Sequence, residues 1–298
     1  MTYSNQPRIA LIGFGEAGRA FASGWGEAVA GRLAAYDVKM AWPEPPAAMV
    51  EAAQTLGLTC HATPAPALEE VSAVFCLVTA DQAVAAAEAA APYLPDGALW
   101  FDGNSCSPGA KRKAAAVIEA TGGRYVDLAI MAPVHPRKHQ VPALAAGSHV
   151  EAALDLADAL GMAVRPAGPE VGAASSIKML RSVMVKGFEA LTAECLLAAR
   201  RAGVEAPVIA SLQASDPGWD WQARGAYNLE RMMVHGARRA AEMREVAATL
   251  RELGLPDRMA AAAALWEDEI AALGVPPDPG ELEARCDRIL EARDRVED

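Results

Sequence analysis

Apolar and polar positions along the first half of the chain follow two alternating periods. Compact apolar runs at Ile9–Ile12, Leu33–Tyr36, Ala73–Val78, Ala98–Phe101 and Tyr125–Ile130 have the length and continuity of strands buried on both faces. Alanine-rich amphipathic stretches lie between them, among them Asp81–Ala91 and Gly109–Ala120, and these read as helices. Strand–helix alternation at this spacing predicts an α/β domain, a doubly wound parallel sheet over residues 1–167. From about Gly172 the strand signals stop. Ser175–Ala202 contains no proline and predicts one long interdomain helix. Helices at about Ala223–Leu253, Pro256–Leu273 and Pro279–Val296 follow, separated by Gly-Leu-Pro and Gly-Val-Pro-Pro breaks. Residues 168–298 are therefore expected to form an all-α second domain.

Charge and composition narrow the classes. With 27 Lys and Arg against 38 Asp and Glu, the formal net charge is −11, which argues against a nucleic-acid partner. Hydrophobic residues make up 52% of the chain, enough to bury a core. Asp or Glu interrupts the alanine runs every few positions, so no membrane span is expected, and the polar start of the chain carries no leader pattern. Cys60, Cys76, Cys106, Cys195 and Cys286 are scattered without a CxxC pair, which fits free thiols in a cytoplasmic protein and no metal site.

The chemistry starts at Gly13-Phe14-Gly15-Glu16-Ala17-Gly18, directly after the first strand and at the opening of a helix. Gly13 permits the tight turn, Gly15 lets the backbone approach a pyrophosphate, and Gly18 allows close helix–strand contact. The helix N-terminus aims its N–H groups at the phosphates. Asp37 closes the second predicted strand, where a carboxylate can accept from both ribose hydroxyls and repel a 2′-phosphate. Its other reading is a helix cap. The pattern is that of a Rossmann domain binding NAD or NADP; Asp37 favours NAD, while Lys39 could tolerate a phosphate. Val78 and Thr79, after the fourth run, are expected to border the cofactor.

These residues resemble the β-hydroxyacid dehydrogenases, the family that includes 3-hydroxyisobutyrate and 6-phosphogluconate dehydrogenases. Three further segments carry the resemblance. Phe101-Asp102-Gly103-Asn104-Ser105 is similar to the substrate-binding turn of the 6-phosphogluconate branch, Tyr125-Val126-Asp127 to the start of the second substrate loop, and Gly168–Lys178 to the glycine-rich approach to the catalytic lysine. The second half looks closest to a subgroup with its own C-terminal domain. The resemblance implies an NAD(P)-dependent oxidoreductase acting on a hydroxy acid or related alcohol or carbonyl, with Lys178 as general acid/base and Asn104 and Ser105 orienting the substrate. Lys178 lies in an apolar setting that would lower an ammonium pKa, and the other reading is a lysine that snorkels to water. Asn104 and Ser105 could equally make a turn and cap a helix.

Several positions depart from the family pattern. Ser182 stands where the family has asparagine, and Met131-Ala132-Pro133 replaces its Ser-Gly-Gly loop, removing a backbone donor at Pro133. No residue clearly matches the lysine that the family draws from its C-terminal domain. His135-Pro136-Arg137-Lys138-His139 could capture an acidic substrate or be a plain surface loop. Arg181 could meet an anionic substrate, and His235 is either a cleft residue or a helix-surface histidine. Lys186 reads as an ordinary polar position. Trp219 and Trp221 are expected in a loop, at a dimer interface or lining the substrate cleft. The expected partners are a small, acidic substrate and a second copy of the chain. Imine reduction and non-catalytic nucleotide sensing are the alternatives.

Overall fold

In the computed structural model, which describes residues 8–29, 31–277 and 280–297, each apolar run of the first half becomes a strand. The eight strands are β1 (Ile9–Ile12), β2 (Leu33–Tyr36), β3 (Thr59–His61), β4 (Ala73–Cys76), β5 (Leu99–Asp102), β6 (Arg124–Ile130), β7 (Ala143–Ala146) and β8 (Val164–Gly168). They form one sheet in the order β3-β2-β1-β4-β5-β6-β7-β8. Strands β1 to β6 are parallel, but β7 runs antiparallel to β6 and carries β8 with it. The sheet is thus not wholly parallel as expected. β3, β7 and β8 have weak patterns: β3 is three residues long, β7 is the alanine-rich Ala143-Leu144-Ala145-Ala146, and the edge strand β8 contains Pro166. Proline is tolerated at an edge because one row of backbone groups there needs no partner.

Helices α1 (Glu16–Trp25), α2 (Ala47–Thr55), α3 (Pro64–Ala67), α4 (Ala83–Ala90), α5 (Pro108–Glu119) and α6 (Val150–Ala159) accompany this sheet, and α7 (Ala173–Arg201) follows it. Alternate residues of each strand enter different cores. Phe75 and Phe101 stack at 4.5 Å between ring centroids and join Phe21 and Trp25 in one core. Val74, Trp100 and Tyr125 belong to the other, with Leu68 and Ile118. Register aligns the ends of four strands: Tyr36 lies beside Ile12, Ile12 beside Cys76, and Cys76 beside Asp102, which in turn lies beside Asp127, midway along the longer β6. Because these strands are parallel, the C-terminal ends of β1, β2, β4 and β5 form one row at one edge of the sheet, which is where ligands of open α/β sheets bind.

The chain divides into two compact units, Met1–Met179 and Leu180–Asp298, the division falling inside α7 rather than ahead of it at residue 167. The second unit is helical: α8 (Glu205–Ser215), α9 (Trp221–Glu252), α10 (Arg258–Ala272) and α11 (Leu282–Glu297). Sequence pattern did not predict α8. Pro279, the expected start of the last helix, lies outside the described residues. Leu196, Leu197, Leu229, Met232, Ile270, Leu282 and Ile289 build the core. A Cβ on Gly236 would stand 2.5 Å from the Glu267 carbonyl oxygen, so glycine is what lets α9 and α10 approach there. No helix among the described residues is long and apolar enough to cross a membrane.

Lys186 is not an ordinary polar position. It is buried and paired with Glu242 at 2.8 Å, and burial pulls its ammonium below the usual lysine range. Arg239 is buried beside it in the same charge cluster, paired with Glu189 and, at 3.2 Å, with Glu267. Burial holds the Glu267 carboxyl above the usual carboxylate range, against the opposing pull of Arg239. A carboxyl raised in the folded state binds more protons there than in the unfolded chain. Stability contributed by Glu267 therefore falls as pH rises from its ordinary value of about 4.3 through its raised one. Replacing Glu267 with Gln should flatten that slope, measured as urea unfolding midpoints across a series from about pH 5 to about pH 8. A wild-type slope persisting in the variant would contradict it.

Candidate active site

The glycine loop turns at Gly13, whose φ of 93° lies in the region that side chains disfavour. Its N–H donates to the Tyr36 carbonyl at 2.8 Å, and a Cβ there would stand 2.6 Å from the Leu77 carbonyl oxygen. A Cβ on Gly18 would run into the Gly13 carbonyl. Gly15, by contrast, has nothing within 4 Å of its would-be Cβ. It is the N-cap of α1 and contributes no side-chain cap, so the amides of the first turn, at Glu16 and Ala17, face outward with the helix dipole behind them. This is a cradle that a side chain would fill and that a pyrophosphate fits.

Asp37 ties the end of β2 to this loop. Its Oδ2 accepts the Phe14 N–H at 2.8 Å, and its Oδ1 accepts the Lys39 N–H at 3.0 Å. Asp37 is therefore a cap, as one reading had it. Each carboxylate oxygen retains acceptor capacity beyond its one backbone bond. The Lys39 ammonium lies 5.8 Å from the Trp42 ring centroid. Across the row, the Val78 N–H donates to Asn104 Oδ1 at 2.7 Å, joining the ends of β4 and β5, and Thr79 follows, exposed.

Beyond β5 the turn is organised by buried charge. Asp102 Oδ1 accepts the Asn104 N–H at 3.0 Å and its Nδ2 at 2.7 Å, which orients the Asn104 amide. Lys111 Nζ donates to Asp102 Oδ1 at 2.9 Å and lies 3.6 Å from Asp127 Oδ1. The Tyr125 hydroxyl donates to Asp102 Oδ2 at 2.6 Å. Asp127 Oδ2 accepts the N–H groups of Gly172 and Ser175, at 3.1 and 3.0 Å, and the Ser175 hydroxyl at 3.0 Å. Asp127 thus caps the first turn of α7, the helix that carries Lys178. Lys178 Nζ donates to Ser105 Oγ at 2.7 Å.

The structure therefore brings together Asn104, Ser105, Val78 and Lys178, and separately the glycine loop with Asp37. Met131 is half-buried and donates its N–H to the Pro142 carbonyl at 2.8 Å. His135 is exposed beside a cis peptide bond to Pro136. The basic loop is in part committed elsewhere: Lys138 Nζ donates to Ser23 Oγ at 2.8 Å, and His139 packs 6.2 Å from the Trp25 ring, where burial and Lys138 lower its pKa. Arg181, Ser182 and His235 belong to the second unit, where Ser182 Oγ accepts from Lys186 Nζ at 3.4 Å. The expected tryptophan loop is only half a loop, because Trp221 opens α9. Trp219 and Trp221 stack at 5.6 Å between ring centroids, with Phe188 edge-on to Trp219 at 4.9 Å. No cluster of metal-ligating side chains occurs among the described residues.

Sequence reasoning missed Lys111. One signal existed: it shares the i, i+3, i+4, i+7 stripe of α5 with the buried Ala114, Ala115 and Ile118. A lysine on the apolar stripe of a helix demands a buried partner.

Residues 8–158 match the family described as the NAD binding domain of 6-phosphogluconate dehydrogenase, and residues 199–270 match a domain of unknown function, DUF1932. Among solved structures, a conserved hypothetical protein from Sinorhizobium meliloti 1021 is 37% identical, with 97% of each chain covered and a TM-score of 0.75. A conserved protein of unknown function, described as structurally similar to 3-hydroxyacid dehydrogenases, is 30% identical over 90% of this chain and 100% of its own, with a TM-score of 0.68. Mycobacterium tuberculosis 3-hydroxyisobutyrate dehydrogenase, solved with L-serine, shares the fold at 16% identity, covering 97% of this chain and 100% of its own with a TM-score of 0.73. No curated protein matches the chain.

The two loop glycines should respond differently to a methyl group. Gly15→Ala should keep the wild-type unfolding midpoint yet weaken NADH binding about tenfold or more, because the methyl occupies the phosphate approach. Gly13→Ala should lose both binding and about 1–3 kcal/mol of stability through strain and overpacking. Tryptophan-fluorescence titration and urea unfolding read the two effects. Equal loss of stability in both variants would refute the distinction.

Proposed function

The chain belongs to the family of the NAD binding domain of 6-phosphogluconate dehydrogenase, and from that premise we propose that it is a nicotinamide-dependent oxidoreductase of hydroxy acids or related alcohols, with Lys178 as its general acid/base. The observation that carries the reading is the 2.7 Å bond from Lys178 Nζ to Ser105 Oγ, beside the turn that Asn104 anchors. The residues of the first unit fit a dinucleotide: the amides of Gly15, Glu16 and Ala17 would hold the pyrophosphate, and Asp37 the ribose. When bound, the nicotinamide supplies or accepts a hydride. Lys178 takes the proton from the substrate hydroxyl during oxidation and returns it to the carbonyl oxygen during reduction. Ser105 holds the Lys178 ammonium and offers its hydroxyl to the substrate oxygen or carboxylate. In the reductive direction, where Lys178 begins as the ammonium, its charge also suits an acidic substrate. Leu180, Met184 and Leu191, exposed apolar residues on α7, support a homodimer, which sedimentation would detect.

Lys178→Ala should lower kcat about 10²–10⁴-fold in a screen of hydroxy acids with both cofactors, while leaving NADH affinity unchanged. Near-wild-type turnover by that variant would remove Lys178 from the chemistry, and turnover of cyclic imines alone would move the protein to imine reduction. NADH should bind more tightly than NADPH by fluorescence quenching, because the Asp37 carboxylate repels a 2′-phosphate. The reverse preference would transfer recognition to a cation such as Lys39.

A further inference from the structure

Three charged side chains sealed inside the first unit take no direct part in the reaction proposed above: Asp102, Lys111 and Asp127, each 0% exposed. Asp102 and Asp127 are register partners on β5 and β6, so their side chains are neighbours, and two adjacent buried acidic groups call for a cation between them. Lys111 supplies it, with additional donation to the Asp102 carbonyl oxygen. Burial alone would lower its ammonium pKa, but Asp102, Cys106 and Asp127 together outweigh burial and raise it above the usual lysine range, so the cation persists. The carboxylates hold different segments. Asp102 grips both the backbone and the amide of Asn104, next to Ser105. Asp127 grips the Gly172 and Ser175 amides at the start of α7, Ser175 lying less than one turn before Lys178.

We propose that Lys111, Asp102 and Asp127 are positioning residues: one buried cation locks two carboxylates, and these set the turn bearing Ser105 and the helix bearing Lys178 at hydrogen-bonding distance. The inference rests on the reading of Lys178 given above only for its consequence in catalysis; the coupling itself is a property of the folded protein. Asp127 bonds to the Gly172 and Ser175 amides, so loosening it should act on Lys178 without altering dinucleotide affinity, whereas Asp102 also reaches the Val78 amide through Asn104.

The test uses the full-length protein with its lysines reductively ¹³C-dimethylated, the Lys178 resonance being assigned by its disappearance in Lys178→Arg. Asp127→Asn and Asp102→Asn should each move that resonance toward those of the exposed lysines, with NADH affinity unchanged by tryptophan quenching in Asp127→Asn. Ile118→Val, a core change on the same helix as Lys111, should lower stability and leave the resonance in place, which separates positioning from general loosening. Ser175→Ala removes one donor to Asp127 without stranding a charge. It should shift the Lys178 resonance in the same direction by a smaller amount, and it keeps the test decisive if the carboxylate variants do not fold. A Lys178 resonance at its wild-type position in Ser175→Ala and in every folded carboxylate variant would overturn the proposal. Full activity in Lys178→Ala would instead overturn the catalytic reading and leave the coupling measurement standing.

Discussion

The Lys111 ammonium between Asp102 and Asp127 is the interaction on which the first unit's crevice depends. Taking charges out of water is costly, and an ion pair offsets that cost only when geometry is good and the remaining donors and acceptors are satisfied. Here Tyr125 and Asn104 bond Asp102, and Gly172 and Ser175 bond Asp127 Oδ2, so the network spans β5, β6, α5 and the start of α7, while Asp127 Oδ1 is held by the Lys111 charge at 3.6 Å without a hydrogen bond. The price of burying three charges is met by bonds that fix chain segments far apart in sequence, which a purely apolar core would not do.

The other half of the crevice depends on sterics. Parallel register places the ends of β1, β2, β4 and β5 in one row, and the chain leaving each strand must turn within one or two residues. Gly13 turns beneath the Leu77 carbonyl, where no side chain fits. Asp37 then fastens the second strand to the first through the Phe14 amide, and Asn104 fastens the fifth to the fourth through the Val78 amide. Two side chains thus fix loops that would otherwise be free to separate.

The second unit follows a different logic. Its helices approach through Gly236, and its interior holds a charge cluster in which three glutamates, Glu189, Glu242 and Glu267, meet Lys186 and Arg239. Arg238 also pairs with Glu242 at 2.8 Å, and the Glu267 carboxyl is raised by burial, which favours its neutral form against the pull of Arg239 and Lys186. On the surface, the Arg224 guanidinium lies 4.8 Å from the Trp219 ring centroid and 5.5 Å from that of Phe188. That packing gives the exposed Trp219 a local partner.

Much of this protein was legible along the chain. The runs at Ile9–Ile12 and Leu33–Tyr36 became strands with those same ends, because continuous apolar character over four residues between turns admits little else. The glycine loop was legible for a similar reason: its geometry is local, set by backbone sterics within six residues. The direction of β7 was not, since an alanine-rich run has weak strand preference and pairing direction is decided by partners far away in sequence. Lys186 and Lys111 were misread or missed because a lysine on a helix looks the same whether it meets water or a carboxylate from another element. Burial and pairing are relations between distant residues. Local sequence determined the elements and the dinucleotide cradle; only tertiary packing decided which charges are sealed inside, and so which groups hold Ser105 and Lys178 together.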